Sequence, residues 1–305
     1  MLRDLAPAKI NLFLHILGRR EDGYHLLESL VGFADFGDEL ALEPGPGPSL
    51  SLEGPMAAAL GDASAATVAL RGAGVAGSDD NLVLRAARLF QEVFAGSVSG
   101  HFTLSKHLPV ASGIGGGSSD AASALRLLCR ANQIPTTTPQ VAAIARQLGA
   151  DVPVCLEAKP RLMRGIGHEL GPVLTFVEYP AVLIHPGVAV KTPSVFAALK
   201  LKPGERYVPP GLVDVPVSGN DALVRLQSAT RNHLEPAAIG IAPKIRRVIQ
   251  AIEAEPGCRF ARMSGSGATC FGLFETDAAA LNAAQSIKAI HYRWWVRPCR
   301  IQIPL

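Results

Sequence analysis

The segment 109–119 combines the residue types with which proteins bind phosphate. It reads PVASGIGGGSS, with glycines at 113, 115, 116 and 117 followed directly by Ser118 and Ser119. Glycine adopts positive φ and lets a ligand approach the backbone closely, and successive backbone N–H groups at a helix start form a concave anion site. The segment therefore predicts a phosphate-binding loop.

The residues on either side of this loop supply the elements that would position it. Residues 101–106 alternate in polarity like a half-buried strand. The segment after the loop places four apolar residues on one helical face: Ala121, Leu125, Leu128 and Cys129. Three polar residues are candidate N-caps of that helix: Ser118, Ser119 and Asp120. Strand, glycine loop and helix start together predict an anion site rather than a flexible glycine linker.

Two common phosphate loops are excluded by spacing. A Walker loop needs a lysine directly after its last glycine, and none follows here. A dinucleotide fingerprint needs a glycine at its sixth position, which counted from Gly113 is Ser118. The loop is therefore of a different kind.

Three further features have residue types suited to chemistry. The segment 264–269 reads SGSGAT and allows close approach to its backbone, although a tight hairpin would have the same composition. Asp151 has apolar neighbours on both sides, so its carboxylate must cap a helix, pair with a cation or act in function. Lys9 lies in the apolar alternation 9–17, as a lysine that reaches a site or as an ordinary edge-strand lysine.

Composition narrows the class of protein. Of 305 residues, 48% are hydrophobic and 18% charged, so the chain can fill one large or two ordinary domains. The net charge of +3 comes from scattered basic residues and gives no case for nucleic acid. The five cysteines lack metal-ligand spacing. The start of the chain has no signal peptide and no apolar run of membrane-spanning length occurs, so we expect a soluble cytoplasmic protein with no membrane partner.

The remaining pattern predicts an α+β protein of two lobes, each with mixed sheet and helices. Strands are expected at 9–17, 31–35, 101–106, 181–184, 260–263 and 270–274. Helices are expected at 82–94 after Asp80 or Asn81 as cap, at 138–148 with Thr138 as cap, and at 243–253. Breaks at 158–172 separate the two halves.

Five motifs in this order resemble the GHMP kinase superfamily over nearly the whole chain. They lie at 8–12, 20–25, 109–120, 148–153 and 264–269. The resemblance implies a two-lobed kinase fold. Its N-terminal ATP-binding lobe would span 1–163, completed by a returning strand at 293–305, and its C-terminal substrate lobe would span 164–292.

The resemblance also implies an activity, which is ATP-dependent phosphorylation of the 2-hydroxyl of a cytidine-diphosphate-linked methylerythritol in mevalonate-independent isoprenoid synthesis. Asp151 matches the catalytic aspartate and Lys9 its partner. Five residues match substrate-binding positions: Tyr24 and Phe196 on the two faces of the cytosine, His25 at its edge, and Asn11 and Thr192 near the hydroxyl and phosphate groups.

Two glycine loops match ATP-binding positions in the family. The residues concerned are Pro109, Gly113, Gly115, Gly116, Gly117, Ser118 and Ser119 in the first loop and Gly265, Ser266 and Gly267 in the second. Mg²⁺ would join the β- and γ-phosphates, with Ser118 or Ser119 as a candidate ligand.

Alternative functions are less consistent with these residues. Another GHMP kinase, acting on homoserine, a sugar or mevalonate, would have no base for Tyr24 and Phe196 to stack on. A non-catalytic nucleotide- or RNA-binding protein would have no reason to keep both Lys9 and Asp151, and a serine hydrolase would need a Gly-x-Ser-x-Gly elbow. Two departures remain: His233 follows Asn232 where many relatives have aspartate, and segment 44–79 carries no assignable motif.

Overall fold

The computed structural model describes residues 1–60, 81–206 and 222–304. Its strands are β1 (Leu2–Arg19), β2 (His25–Gly45), β3 (Ser49–Glu53), β4 (Ser99–Ser105), β5 (Arg161–Arg164), β6 (Glu169–Leu170), β7 (Phe176–His185), β8 (Cys258–Met263), β9 (Cys270–Phe274) and β10 (Trp295–Pro304). Its α-helices are α1 (Leu82–Val93), α2 (Gly116–Ala131), α3 (Pro139–Leu148), α4 (Val152–Glu157), α5 (Thr192–Ala198), α6 (Ala222–Ala229), α7 (Glu235–Ile241), α8 (Lys244–Glu253) and α9 (Asp277–Ile290). A 3₁₀ turn covers Ala57–Leu60.

The chain divides into two compact units. Unit 1 consists of Met1–Ala8, Phe36–Val110 and Gly115–Ala158, and unit 2 of Lys9–Asp35, Ala111–Ile114 and Lys159–Leu305. The long strands β1 and β2 each contribute residues to both units. The lobes expected at 1–163 and 164–292 stay a prediction. The contacts divide the chain differently, because Lys9–Asp35 and β10, which were expected in the N-terminal lobe, belong to unit 2.

Unit 1 is a small sheet with four helices. β3 runs parallel to β4, and β4 pairs antiparallel with the second half of β2, from Glu39 to Gly45. Phe102 and Leu104 on β4 are buried, as the alternation of residues 101–106 predicted. α1 begins as predicted, because the Asn81 side chain accepts the Val83 N–H at 2.9 Å. The alternative cap, Asp80, lies outside the described residues.

Unit 2 contains a larger sheet with strand order β2–β10–β7–β9–β8. β10 pairs antiparallel with β7 along its whole length, and Ile301 lies opposite Ala34 of β2. β5 pairs with β2 and with β6. The apolar face of α8, with Ile245, Val248 and Ile252 at helical spacing, packs into the core of this unit. The predicted strands at 181–184, 260–263 and 270–274 and the helix at 243–253 are confirmed.

The predicted cap of α2 is wrong. The helix begins at Gly116, its N-cap is Gly115 with φ 65°, and no side chain caps it. The candidate caps lie inside the helix, because tertiary partners take two of them: Ser119 Oγ donates to the Pro7 carbonyl at 2.7 Å, and Asp120 accepts from Lys106 at 2.8 Å. No helix within the described ranges is long and apolar enough to cross a membrane.

Candidate functional site

The start of α2 in unit 1 presents backbone N–H groups without a side-chain cap. Gly115 turns the chain into the helix with positive φ, and Gly116, Gly117 and Ser118 are only partly buried or exposed. Uncapped N–H groups and the positive end of the helix dipole favour an anion. The fourth residue of the turn differs, because the Ser119 side chain is fully buried. This geometry fits the predicted phosphate loop.

A buried ionic triad of Asp38, Lys106 and Asp120 lies beneath this helix start. Lys106 Nζ donates to Asp38 Oδ2 at 2.5 Å and to Asp120 Oδ2 at 2.8 Å. Asp38 Oδ1 also accepts the backbone N–H groups of His107 and Leu108 at 2.6 and 2.8 Å. A Cβ added to Gly116 would lie 3.5 Å from Lys106 Nζ, so the triad is adjacent to the first turn. The triad thus ties the end of β4 to α2.

The charges of the triad compensate one another. Burial raises the pKa of Asp120 to about 8, against the opposing effect of Lys106. Burial lowers the pKa of Lys106, but the carboxyl groups of Asp120 and Asp38 outweigh burial and raise it. Lys106 is therefore charged at neutral pH, and the two carboxyl groups to which it donates supply the compensating charge.

Sequence reasoning missed Lys106 and Asp38. A signal was present for the lysine, since Phe102, Leu104 and Lys106 share the inward phase of the β4 alternation. Nothing local identified Asp38, whose partner Lys106 is 68 positions away.

Ser118 and Ser119 are not equivalent as metal ligands. The Ser119 hydroxyl donates to Pro7, whereas the Ser118 side chain is half-buried at the first turn. In the described part of the chain no group of three or more His, Cys, Asp or Glu side chains could hold a metal ion. A Mg²⁺ ion at this turn would therefore take most of its oxygen ligands from phosphate, with Ser118 as the better-placed protein group.

Asp151 occupies the N-cap position of α4 but makes no side-chain cap hydrogen bond. The interpretation of this carboxylate as a helix cap is therefore wrong. Asp151 as a whole residue is half-buried. Pro109, the first residue of the predicted loop, is buried.

In unit 2, three chain segments meet at residues 9–11 of β1. The Lys9 N–H donates to the Ile114 carbonyl at 2.9 Å, and the Asn11 N–H donates to Ser264 Oγ at 3.1 Å. Ser264 Oγ donates in turn to the Gly113 carbonyl at 3.0 Å. Lys9 is 4% exposed, which excludes a solvated edge-strand lysine. The unit 2 part of the first loop and the second loop are thus joined to β1.

Gly113 has a role that the sequence did not indicate. Its φ is +78°, and an added Cβ would lie 2.6 Å from the Ser264 carbonyl oxygen and 2.7 Å from the Gly267 nitrogen. Side chains do not fit at such distances. Gly113 therefore allows the second loop to pack against the backbone of the first. This structural role does not depend on whether Gly113 contacts a ligand.

The second loop is the turn of the β8–β9 hairpin, so the hairpin interpretation is correct as far as the backbone goes. Two side chains hold its conformation. Asn232 Nδ2 donates to the carbonyls of Met263 and Gly265, each at 2.8 Å. Thr192 Oγ1 lies 2.7 Å from Ser266 Oγ. Gly265 and Gly267 both have positive φ, at 55° and 84°, as a tight turn requires.

The predicted base-binding residues all lie in unit 2. Tyr24 is 62% exposed, and the His25 and Phe196 rings lie 4.8 Å apart at 39°. Phe196 also packs against the unit 2 core. The contact-based division groups Tyr24 with Phe196 in unit 2, whereas the lobe bounds that the resemblance implies separate them, and those bounds stay a prediction.

The buried polar atoms of unit 2 without a hydrogen-bond partner among the described residues include Asn11 Oδ1 and His25 Nε2, which belong to predicted substrate-binding residues. Asn11 Nδ2 donates to Ser29 Oγ at 2.7 Å, which fixes the orientation of the amide and of its oxygen. Burial, with a smaller effect of Arg19, lowers the pKa of His25. Its imidazole is therefore neutral at pH 7, and a neutral edge suits a nucleobase. Buried polar atoms without partners are uncommon in proteins, and a ligand that satisfies them is one explanation at predicted substrate-binding positions.

Comparison with known proteins adds to this geometry. Residues 81–159 match the GHMP kinases N terminal domain and residues 220–293 the GHMP kinases C terminal domain. The chain is 50% identical over 303 residues to a 4-diphosphocytidyl-2-C-methyl-D-erythritol kinase of Methylorubrum extorquens, covering 99% of both chains. A kinase of the same name from Rhodopseudomonas palustris is 49% identical, with 97% of this chain and 95% of that protein covered.

Solved structures of kinases are also similar to this chain. A crystal structure of 4-(cytidine 5'-diphospho)-2C-methyl-D-erythritol kinase is 33% identical with a TM-score of 0.73, covering 98% of this chain and 99% of that one. A homoserine kinase from Cytophaga hutchinsonii has a TM-score of 0.65 at 16% identity, covering 99% of this chain and 95% of that one, and shares the fold alone.

Proposed function

This chain belongs to the GHMP kinases, and on that premise we propose that it transfers the γ-phosphoryl group of ATP to the 2-hydroxyl of 4-diphosphocytidyl-2-C-methyl-D-erythritol, in isoprenoid precursor synthesis. One structural observation carries the choice of substrate. In unit 2 the buried, partnerless His25 Nε2 lies beside Phe196 and next in sequence to the exposed ring of Tyr24. Homoserine and mevalonate have no base for these groups.

The phosphate groups of ATP would bind at two places. The uncapped start of α2 offers the N–H groups of residues 116–118, and the second loop offers small residues at positive φ. Bound Mg²⁺ would neutralise charge on the β- and γ-phosphates, and Ser118 is the residue that fits it. Pro109 and Gly113 would shape the loop between β4 and α2.

Asp151 and Lys9 would carry the chemistry. Asp151 would accept the proton of the substrate hydroxyl, whose oxygen attacks the γ-phosphorus as the bond to the β–γ bridging oxygen breaks and ADP leaves. The Lys9 ammonium would stabilise the negative charge of the transferred group. The half-buried position of Asp151 at the start of α4 and the burial of Lys9 support these roles.

The cytidine end would be recognised in unit 2. Tyr24 and Phe196 would stack on the base, and His25 Nε2 would hydrogen-bond its edge. Asn11 Oδ1 and Thr192 would contact hydroxyl or phosphate groups. A cytoplasmic location is part of this proposal, since all five cysteines are free thiols, which suits a reducing compartment.

A coupled ADP-release assay tests the proposal. Purified protein with ATP and Mg²⁺ is offered the cytidine-linked substrate, homoserine or mevalonate in parallel. We expect ADP release with the cytidine-linked substrate alone, and a phosphate on its 2-hydroxyl by ³¹P NMR. Faster turnover of homoserine or mevalonate would move the chain to another branch of the family. No turnover of any acceptor would favour a non-catalytic nucleotide-binding protein.

A further inference from the structure

The segment 231–233 is held on β1 by four hydrogen bonds, two of which end on imidazole rings. The backbone pairs are Leu14 N–H to the Arg231 carbonyl at 3.0 Å and His233 N–H to the Leu14 carbonyl at 2.8 Å. The Arg231 N–H donates to His15 Nε2 at 3.1 Å, and the Ile16 N–H donates to His233 Nδ1 at 3.0 Å. We call this arrangement the imidazole clasp.

Both rings of the clasp must be neutral to accept these hydrogen bonds. A neutral His15 then carries its proton on Nδ1 and a neutral His233 on Nε2, because the other nitrogen of each ring is the acceptor. The rings stack in a column, with Phe13 4.7 Å from His15 and His15 4.9 Å from His233. Stacking fixes the orientation that the two acceptors need.

The clasp is connected to the second loop through one residue. Asn232, between Arg231 and His233, donates from its side chain to the Met263 and Gly265 carbonyls at 2.8 Å. The next residue of the loop, Ser266, lies 2.7 Å from Thr192 Oγ1. The position of segment 231–233 therefore determines where Asn232 holds the loop.

We propose that His15 and His233 are positioning residues, which hold segment 231–233 on β1 and thereby fix the second loop, 264–269, in its binding conformation. The inference rests on the proposed role of that loop in binding ATP. His233, which departs from the aspartate of many relatives, gains a function in this way. An aspartate at position 233 could also accept the Ile16 N–H. It is protonated only at a lower pH than histidine, so mild acid would break the hydrogen bond of the histidine but not that of the aspartate.

Acid should open the clasp, because a protonated imidazole cannot accept a hydrogen bond. The charged groups around it oppose protonation: Arg231 on the same segment and Arg262 on β8. The acid on the neighbouring helix α7, Glu235, accepts the Met263 N–H at 3.0 Å. Burial lowers the pKa of His15 to about 4, helped by His233, Arg262 and Arg231. Burial also lowers the pKa of His233, and Arg231 adds to the effect.

The sign of the pH effect follows from these directions. The open state has the ordinary imidazole pKa of 6.5 and the closed state a lower one, so the open state binds more protons between them. The clasp is therefore fully closed above pH 6.5 and is lost progressively as the pH falls toward 4.

Two kinds of variant distinguish an effect of the clasp from a general loss of stability. The first kind keeps a hydrogen-bond acceptor at positions 15 and 233 but has no imidazole to protonate. Asparagine places an oxygen near the position of Nδ1, and glutamine near that of Nε2, so the pair His15→Gln with His233→Asn preserves both hydrogen bonds. His233→Ala removes one acceptor. His185→Asn is the matched control: burial lowers the pKa of His185 to about 4 and its Nδ1 accepts the Gly187 N–H at 3.2 Å, but none of its hydrogen bonds reach the second loop.

Affinity for a non-hydrolysable ATP analogue, measured by calorimetry from pH 8 to pH 5, is the readout. We expect the wild type to lose affinity about fivefold below pH 6.5 and the Gln/Asn pair to stay flat, while His233→Ala is weakened about tenfold at every pH by the lost hydrogen bond. His185→Asn should keep the wild-type profile. Loss of thermal stability in His233→Ala with unchanged affinity, or an acid loss that persists in the Gln/Asn pair, would overturn the proposal.

The result does not depend on the phosphoryl acceptor. If the cytidine-linked substrate is not phosphorylated but ATP affinity follows this pattern, the proposed function fails and the clasp stands. The tautomers are an independent check, because ¹⁵N NMR distinguishes a proton on His15 Nδ1 from one on Nε2, and the opposite assignment would contradict the clasp.

Discussion

The two candidate binding regions differ in their buried polar side chains: unit 1 has an ionic triad at the start of α2, and unit 2 has neutral side chains at the predicted substrate-binding positions. In unit 1, Lys106 and two carboxyl groups neutralise one another and fix the backbone at the start of α2. In unit 2, Asn11 and His25 are uncharged and each keeps one buried atom without a partner. Compensated charge holds a backbone rigid, whereas an unsatisfied neutral group gains from a ligand. In the proposed function the start of α2 in unit 1 binds phosphate, whereas unit 2 recognises the base and also contributes Lys9 and the second loop.

The largest expected effect tests the catalytic part of that division. Asp151→Asn should bind both substrates normally but lower kcat by at least about 10², the scale for removing a general base. Glu157→Gln, which changes an exposed carboxylate at the other end of α4, is the control and should behave as wild type. A kcat for Asp151→Asn within a few-fold of wild type would mean that positioning alone drives the transfer.

The second prediction distinguishes the roles of Gly116 and Gly113 in the first loop. Gly116→Val should fold, since its Cβ would meet only ordinary contacts of 3.5 Å or more, but its two methyl groups would press on the triad and displace the first turn of α2, whose N–H groups are offered to phosphate. ATP affinity should fall about 30-fold, as expected for one charge-assisted hydrogen bond. Gly113→Ala should instead lower Tm, because its Cβ would collide with the second loop. Unchanged ATP affinity in a folded Gly116→Val variant would contradict the phosphate loop.

The sequence predicted the features that depend on neighbours along the chain. The glycine loop, the strand before it, the helix after it and the Asn81 cap of α1 are all local patterns, and the structure has each of them. The α2 cap was mispredicted because Ser119 and Asp120 bond to Pro7 and Lys106, partners that capping rules cannot see.

The tertiary part of the site was beyond local reasoning. Asp38 and Lys106 are 68 positions apart, and the two members of the clasp are far apart in the sequence, at 15 and 233. The hydrophobic pattern of the sequence predicts neither the pairing of Asp38 with Lys106 nor that of His15 with His233. The resemblance supplied Asp151, Lys9 and the base-binding residues, whose roles stay predictions, but it treated His233 only as a departure.

Substitutions of Tyr24 and Phe196 test whether unit 2 recognises the base by stacking. Tyr24→Ala and Phe196→Ala should each raise KM for the cytidine-linked substrate about tenfold, because stacking on a base is worth about 1–3 kcal/mol. KM for ATP should stay unchanged. Tyr292→Ala, which removes another exposed tyrosine of unit 2, is the control. Should Phe196→Ala lower Tm and leave KM alone, Phe196 is a core residue only.

The smallest expected effect concerns the buried nitrogen of His25. His25→Leu removes the partner of the base edge and should raise KM for the cytidine-linked substrate about fivefold, the value of one neutral hydrogen bond. His25→Gln places an amide near the position of Nε2 and should return KM to within about twofold of wild type. Because burial lowers the pKa of His25, its ring is neutral above pH 6.5, and KM should be constant there and rise only at lower pH. Equal KM values for the leucine and glutamine variants would show that the ring acts by packing against Phe196. Unit 2 would then recognise the base by stacking alone.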